Sequence, residues 1–148
     1  MVLVSAYFKF NIPTFLHTQH LDQILMKESR MVISADTNGH SKLWYSEIPN
    51  RRGRITEEFI NRHGLIVHNV AGQPNTFCRQ DGLSSNIDVT MTTADIGEKL
   101  TNWTVNDLTD SDHRVICFNL LVKRPPPPRD SVKPRYNTKS ALRRLGPL

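Results

Sequence analysis

The sequence predicts an α/β fold with mixed, largely antiparallel sheets, and three observations carry the prediction. Short apolar runs rich in Val, Ile, Thr and aromatics recur from Leu65 onward, cut by Gly, Asn, Asp and Ser. A strand, helix, strand pattern with short joints opens the chain. At 148 residues the chain is long enough for one domain with a real core and too short for two ordinary ones.

Val2 to Phe8, VLVSAYF, reads as the first strand, and its apolar character calls for neighbours on both sides. Asn11 to Thr14 breaks it with a proline. Phe15, Leu16, Leu21, Ile24 and Leu25 then recur at helical spacing, which predicts an amphipathic helix over Thr14 to Lys27. Met31 to Ala35 forms a second buried strand that ends abruptly on Asp36, Asn38 and Gly39. Thr56 to His63 reads as a short helix with Phe59 and Ile60 inward and Gly64 as its C-cap glycine. The runs LIVHNV, TFCR, NIDVTMTT, WTVNDL and HRVICFNLLV predict five further strands. Pro125 to Pro128 closes a domain expected over 1–123, and 124–148 is expected to be a disordered, Pro-rich basic tail.

The formal net charge of +5 is a property of that tail. From Lys123 onward there are eight Lys and Arg against one acid, whereas residues 1–122 carry eleven basic and thirteen acidic side chains. Cys78 and Cys117 form neither a disulfide framework nor a metal-ligand spacing, as expected for reduced thiols inside a cell. The apolar start lacks a basic flank and a cleavage pattern, and no run approaches the roughly 18 residues of a membrane span. A soluble intracellular protein with no membrane association is expected.

Three polar interruptions of apolar strands are candidate chemistry: Asp36 with Asn38, then Asp88, then Ser111, Asp112 and His113. Residues i and i+2 of a strand share a side, so Asp36 and Asn38 can face one ligand; an Asx-turn is the competing reading. Asp88 shares a face with Asn86 and Thr90, and against His113 it would orient an imidazole; a solvated sheet face is the alternative. Asp112 and His113 fit a plain turn as well. Together the acids, the Asn and the His form a set suited to activating water at a phosphate with a divalent cation. Arg51, Arg52 and Arg54 read as a solvated loop or as a DNA-backbone contact, Trp44 and Trp103 as core, and His40 as a loop residue.

These motifs occur in order as VSAYF at 4–8, SADTNGHSKLW at 34–44, GR at 53–54, GLIVHN at 64–69, TF at 76–77, SSNIDVT at 84–90 and TDSDHRVICF at 109–118. The set resembles the second half of the endonuclease/exonuclease/phosphatase superfamily, in particular the apurinic-type endonuclease domain of non-LTR retrotransposons of the arthropod rDNA-inserting type. RYNTK in the tail is similar to the linker after that domain. The resemblance implies a partial four-layer α/β sandwich and a metal-dependent phosphodiesterase that nicks DNA, using Mg2+ or Mn2+. It implies that Asp36 positions or activates water, Asn38 holds the scissile phosphate, Asp88 orients His113, His113 acts on phosphate or water, and Tyr7 touches the phosphate. Asp112 is implied at the metal. The family's metal-binding glutamate has no counterpart here, since Glu28, Glu47, Glu57 and Glu58 match no family position. A truncated domain is therefore expected, with an inactive remnant or a basic-tailed nucleic-acid binder as alternatives. DNA, a reverse transcriptase domain and a nuclear location complete what the resemblance implies.

Overall fold

A computed structural model describes residues 1–108 and 110–122. The expected basic tail, together with Lys123, lies outside them. Strand β1 (Val2–Tyr7) runs parallel to β2 (Met31–Asp36), and α1 (Thr14–Leu25) makes the crossover between them. Pro13 sits at the helix cap, where a missing N–H costs nothing. After a 3-10 turn at Lys42–Trp44 comes α2 (Arg51–Arg62), and then the short strands β3 (Ile66–Val67), β4 (Phe77–Cys78) and β5 (Ser84–Ser85). Strand β6 (Asp88–Thr92), a four-residue α3 (Ala94–Gly97), β7 (Leu100–Asn106) and β8 (Val115–Leu120) complete the order.

The central sheet has the order β1-β2-β6-β3, with β2 and β3 both antiparallel to β6. Alternation along β2 divides the core. Met31, Ile33 and Ala35 join Phe8, Leu21, Trp44, Phe59 and Ile60 beneath the two helices. Val32 instead meets Ile96 of α3 and Leu100, Trp103 and Val105 of the β7–β8 ribbon on the opposite face. Helices, sheet and ribbon make the partial α/β sandwich that was expected. Trp44 and Trp103 are both core residues, and each indole N–H is satisfied, by the Gly39 carbonyl at 3.1 Å and the Thr90 hydroxyl at 2.9 Å. Ser34 and Asp36 follow Val32 on the ribbon side, which places the polar end of β2 where that cover stops.

Three expectations need correction. Phe15 and Leu16 face solvent, because α1 buries Thr14, Thr18 and Leu21 instead, and the Thr18 hydroxyl is satisfied by donating to the Phe15 carbonyl. Helix α2 begins five residues earlier than Thr56: the Asn50 side chain caps it by accepting from the Gly53 N–H at 2.8 Å, so Arg51, Arg52 and Arg54 are helical rather than loop residues. Among the described residues β1 has one neighbour, β2, and its burial alternates accordingly.

Candidate active site

Strand register assembles the acidic residues. Tyr7 stands opposite Asp36, and Asp36 stands opposite Asp88, so one row crosses β1, β2 and β6 at the sheet's polar end. Neighbouring strands are about 4.8 Å apart, which brings the two carboxyl groups to one small volume. His113 reaches them from outside the sheet. Its segment docks on β4: the Cys78 N–H donates to the Asp112 carbonyl and the Arg114 N–H to the Thr76 carbonyl, each at 2.7 Å, while Phe77 pairs with His113 in an isolated bridge. The Phe77 ring meets the imidazole edge-on at 5.2 Å. So held, His113 Nδ1 donates to Asp88 Oδ2 at 3.0 Å and Nε2 lies 3.8 Å from Asp36 Oδ2.

Buried threonines and asparagines fix the backbone under the row. The Thr76 hydroxyl, fully buried, accepts from the amides of Ile87 at 3.2 Å and Asp88 at 3.1 Å, while the Thr76 N–H donates to Asn86 Oδ1 at 3.0 Å. The Thr37 hydroxyl and amide both donate to the Ile87 carbonyl. Asn69 bridges β6 by donating to the Asp88 carbonyl and accepting from the Thr90 N–H. Asn38 has φ +48 and its N–H donates to Asp36 Oδ1 at 3.0 Å, so the Asx-turn is present and itself steers the carboxylate. The Asn38 side-chain amide donates to the Phe8 carbonyl at 3.2 Å.

Arg52 is a clamp. Its guanidinium donates to the carbonyls of Phe8, Phe10, Ile12 and Thr37 at 2.8–3.3 Å, tying the β1–α1 loop to the loop after β2. Gly53 sets the depth of that contact. A Cβ there would lie 1.8 Å from the His40 carbonyl oxygen, and the Asn50 side chain also holds the His40 N–H at 3.0 Å. Gly53→Ala is therefore expected to lower stability by about 3 kcal/mol through overpacking, read as a shifted urea midpoint. An unchanged midpoint would show that the loop yields freely.

Burial is the largest influence on both acids and pushes each pKa above its ordinary value. For Asp36 the Asn38 N–H, His113 and Arg52 oppose the rise, and the charge of Asp112 adds to it. For Asp88 a hydrogen bond with Thr76 and the nearby His113 oppose it, and Asp36 adds to it. Ligand atoms of Asp36, Asp88 and His113 lie within 4.8 Å of one another, a donor set of oxygens and one nitrogen able to hold a cation. Two half-buried carboxylates raised in pKa and repelling each other are what a hard divalent cation would relieve. Asp112 is not among the three; it is exposed, and its Oδ1 accepts from the Ser111 hydroxyl at 3.3 Å. Tyr7, 58% exposed, stands at the rim of a cleft of about 990 Å3 that Asp36, Asn38, His40 and His113 also line. From the sequence, Arg52 reads as a solvated residue or a DNA-backbone contact rather than a clamp, and Thr76 and Thr37 carry no role. The motifs SADTNGHSKLW at 34–44 and TF at 76–77 contain the two threonines.

Comparison with known proteins adds three findings. The profile of a family described as "Endonuclease-reverse transcriptase" matches residues 1–117. Thirteen chains of solved structures match; one is the "Endonuclease domain of TRAS1, a telomere-specific non-LTR retrotransposon", with 26% identity and a TM-score of 0.74. That match covers 80% of this chain and 56% of the TRAS1 chain, so this chain spans little more than half of that domain's length. No curated protein matches.

Proposed function

This chain belongs to the endonuclease-reverse transcriptase family, and from that premise we propose that it is a metal-dependent phosphodiesterase module that nicks DNA for a non-LTR retrotransposon. The observation that carries the reading is the register of Tyr7, Asp36 and Asp88 with His113 seated on both acids. Asp36 and Asp88 would hold a hard cation, Mg2+ or Mn2+, beside His113, and when bound it supplies positive charge to the phosphate as negative charge builds there. The chain's own groups do the rest. Asp88 fixes the imidazole through Nδ1, leaving Nε2 to exchange a proton with the attacking water or the phosphate. Asp36 orients that water. The Asn38 amide, which keeps a second N–H beyond the one given to Phe8, and the Tyr7 hydroxyl donate to phosphate oxygens. Asp112, whose charge already reaches Asp36, would add to the field holding the cation.

The family description supports a reverse transcriptase domain as the module's partner. A nuclear location is part of the same proposal, because a chromosomal DNA substrate would require it. Among the described residues no helix is long and apolar enough to cross a membrane. The partial span favours a second reading, in which the module binds DNA through Lys123 to Arg144 without turnover.

Supercoiled plasmid with magnesium separates the two. The chain is expected to nick it, chelation to stop the reaction, and Asp36→Ala to be inert. Nicking by both proteins would count against the assignment. No nicking by either, with DNA binding whose salt dependence flattens on removal of 123–148, would favour the binder.

A further inference from the structure

Beside the catalytic cleft lies a second cavity of about 480 Å3, between the β1–α1 loop and the start of α2. Phe10, Ile12, Phe15 and Ile55 supply its apolar walls, and Arg51 and Arg52 are its charged lining residues. No carboxylate lines it. The volume falls in the range of small-ligand pockets. Phe10 lines both cavities, so the second one opens directly beside the cleft of Asp36 and His113.

The chemistry of this wall is specific. Phe10 is 77% exposed and Phe15 56% exposed, an unusual outlay of aromatic surface in the described residues. The loop carrying Phe10 is nonetheless fixed, because Arg52 binds the carbonyls of Phe8, Phe10 and Ile12 and lies 5.8 Å from the Phe10 ring centroid. A solvent-facing ring with the Arg52 guanidinium at its face, in a pocket that also has Arg51 and no acid in its lining, suits a flat π-system attached to an anion.

We propose that this Arg-rimmed pocket receives an unpaired nucleobase of the DNA strand whose phosphodiester lies in the adjacent cleft, with Phe10 as the stacking platform. The proposal rests on the phosphodiesterase reading. A strand passing through the cleft meets Phe10 on leaving it, and Arg51, exposed in the pocket lining, supplies positive charge near the phosphate of the stacked base while Arg52 holds the loop. Base-on-aromatic stacking is sequence-tolerant, so the pocket selects for an unstacked nucleotide rather than for a particular base.

The test is fluorescence anisotropy of the full chain in EDTA, which removes catalysis, with a labelled short duplex and the same duplex carrying one unpaired adenine. Wild type is expected to bind the bulged DNA about tenfold more tightly, Phe10→Ala to lose that preference, and Phe10→Trp to keep it. The exposure of Phe10 makes both variants compatible with folding, which circular dichroism checks. Equal affinity of wild type for the two DNAs, or an undiminished preference in Phe10→Ala, would overturn the pocket. If neither DNA binds, the pocket falls, and plasmid nicking by the same preparation decides whether the phosphodiesterase reading falls with it. A concentration-dependent dimer abolished by Phe10→Ala would assign the surface to a second copy of the chain and likewise overturn the proposal.

Discussion

His113→Ala is expected to lower magnesium-dependent nicking about a thousandfold, the scale of losing a positioned proton-transfer group. The size of the effect follows from placement. The imidazole touches Asp88 through Nδ1 and faces Asp36 through Nε2, so its removal takes away the proposed proton carrier and its contacts to both acids of the candidate cation site. It is half-exposed on a loop, and its loss leaves the core of Trp44, Phe59 and Met91 untouched. Thermal stability should therefore stay near wild type while single-turnover nicking collapses. A variant that keeps most of its rate would move the proton transfer to another group.

The second large effect concerns Asp36→Asn, which is expected to stabilise the metal-free protein by about 1 kcal/mol near neutral pH, as relief of a strained functional site commonly does. The cause is the raised pKa of Asp36, set first by burial and increased by Asp112. The folded state holds this proton to higher pH than the unfolded state does. Its contribution to stability is thus lost as pH rises from the usual carboxylate value through the raised one, and the deficit remains above it. Below about pH 4 the acid is protonated in both states and the advantage of Asn disappears. Asp88, also raised, keeps in the variant the part of its deficit set by burial and loses the part that the Asp36 charge added. Magnesium should reverse the ranking, since a cation that binds only the folded state stabilises wild type by mass action and gains less from an amide. Thermal denaturation across pH, with magnesium or with EDTA, reads both effects. Equal magnesium stabilisation of the two proteins would remove Asp36 from the cation site.

Much of this arrangement is legible in the residues themselves. The β1, α1 and β2 segments announce themselves through apolar runs and helical spacing, and Asp36 and Asp88 stand out because each interrupts such a run. Alternation fixes the shared face of Asp36 and Asp88 once β2 and β6 pair antiparallel. The supporting groups are hidden for physical reasons. Thr76 lies in a loop, with no period to mark it, and its burial depends on contacts with Asn86, Ile87 and Asp88. Arg52 looks like one charge in a basic cluster, and its clamp needs carbonyls some forty residues away in the chain. Strands of two residues, such as β4 and β5, are too short for alternation to define their ends. Phe15 and Leu16 satisfied a helical template yet face solvent, because Thr14 and Thr18 occupy the inner stripe with Leu21.

Convergence of residues 36, 88 and 113 on one cation is open to direct observation by Mn2+ titration of the histidine ring resonances in NMR. Substoichiometric Mn2+ is predicted to broaden the His113 ring signals first, to leave those of His20 on α1 sharp, and to lose this selectivity in Asp36→Asn. Signals of His113 that stay sharp while Mn2+ broadens others, or that broaden alike in wild type and variant, would contradict a shared site.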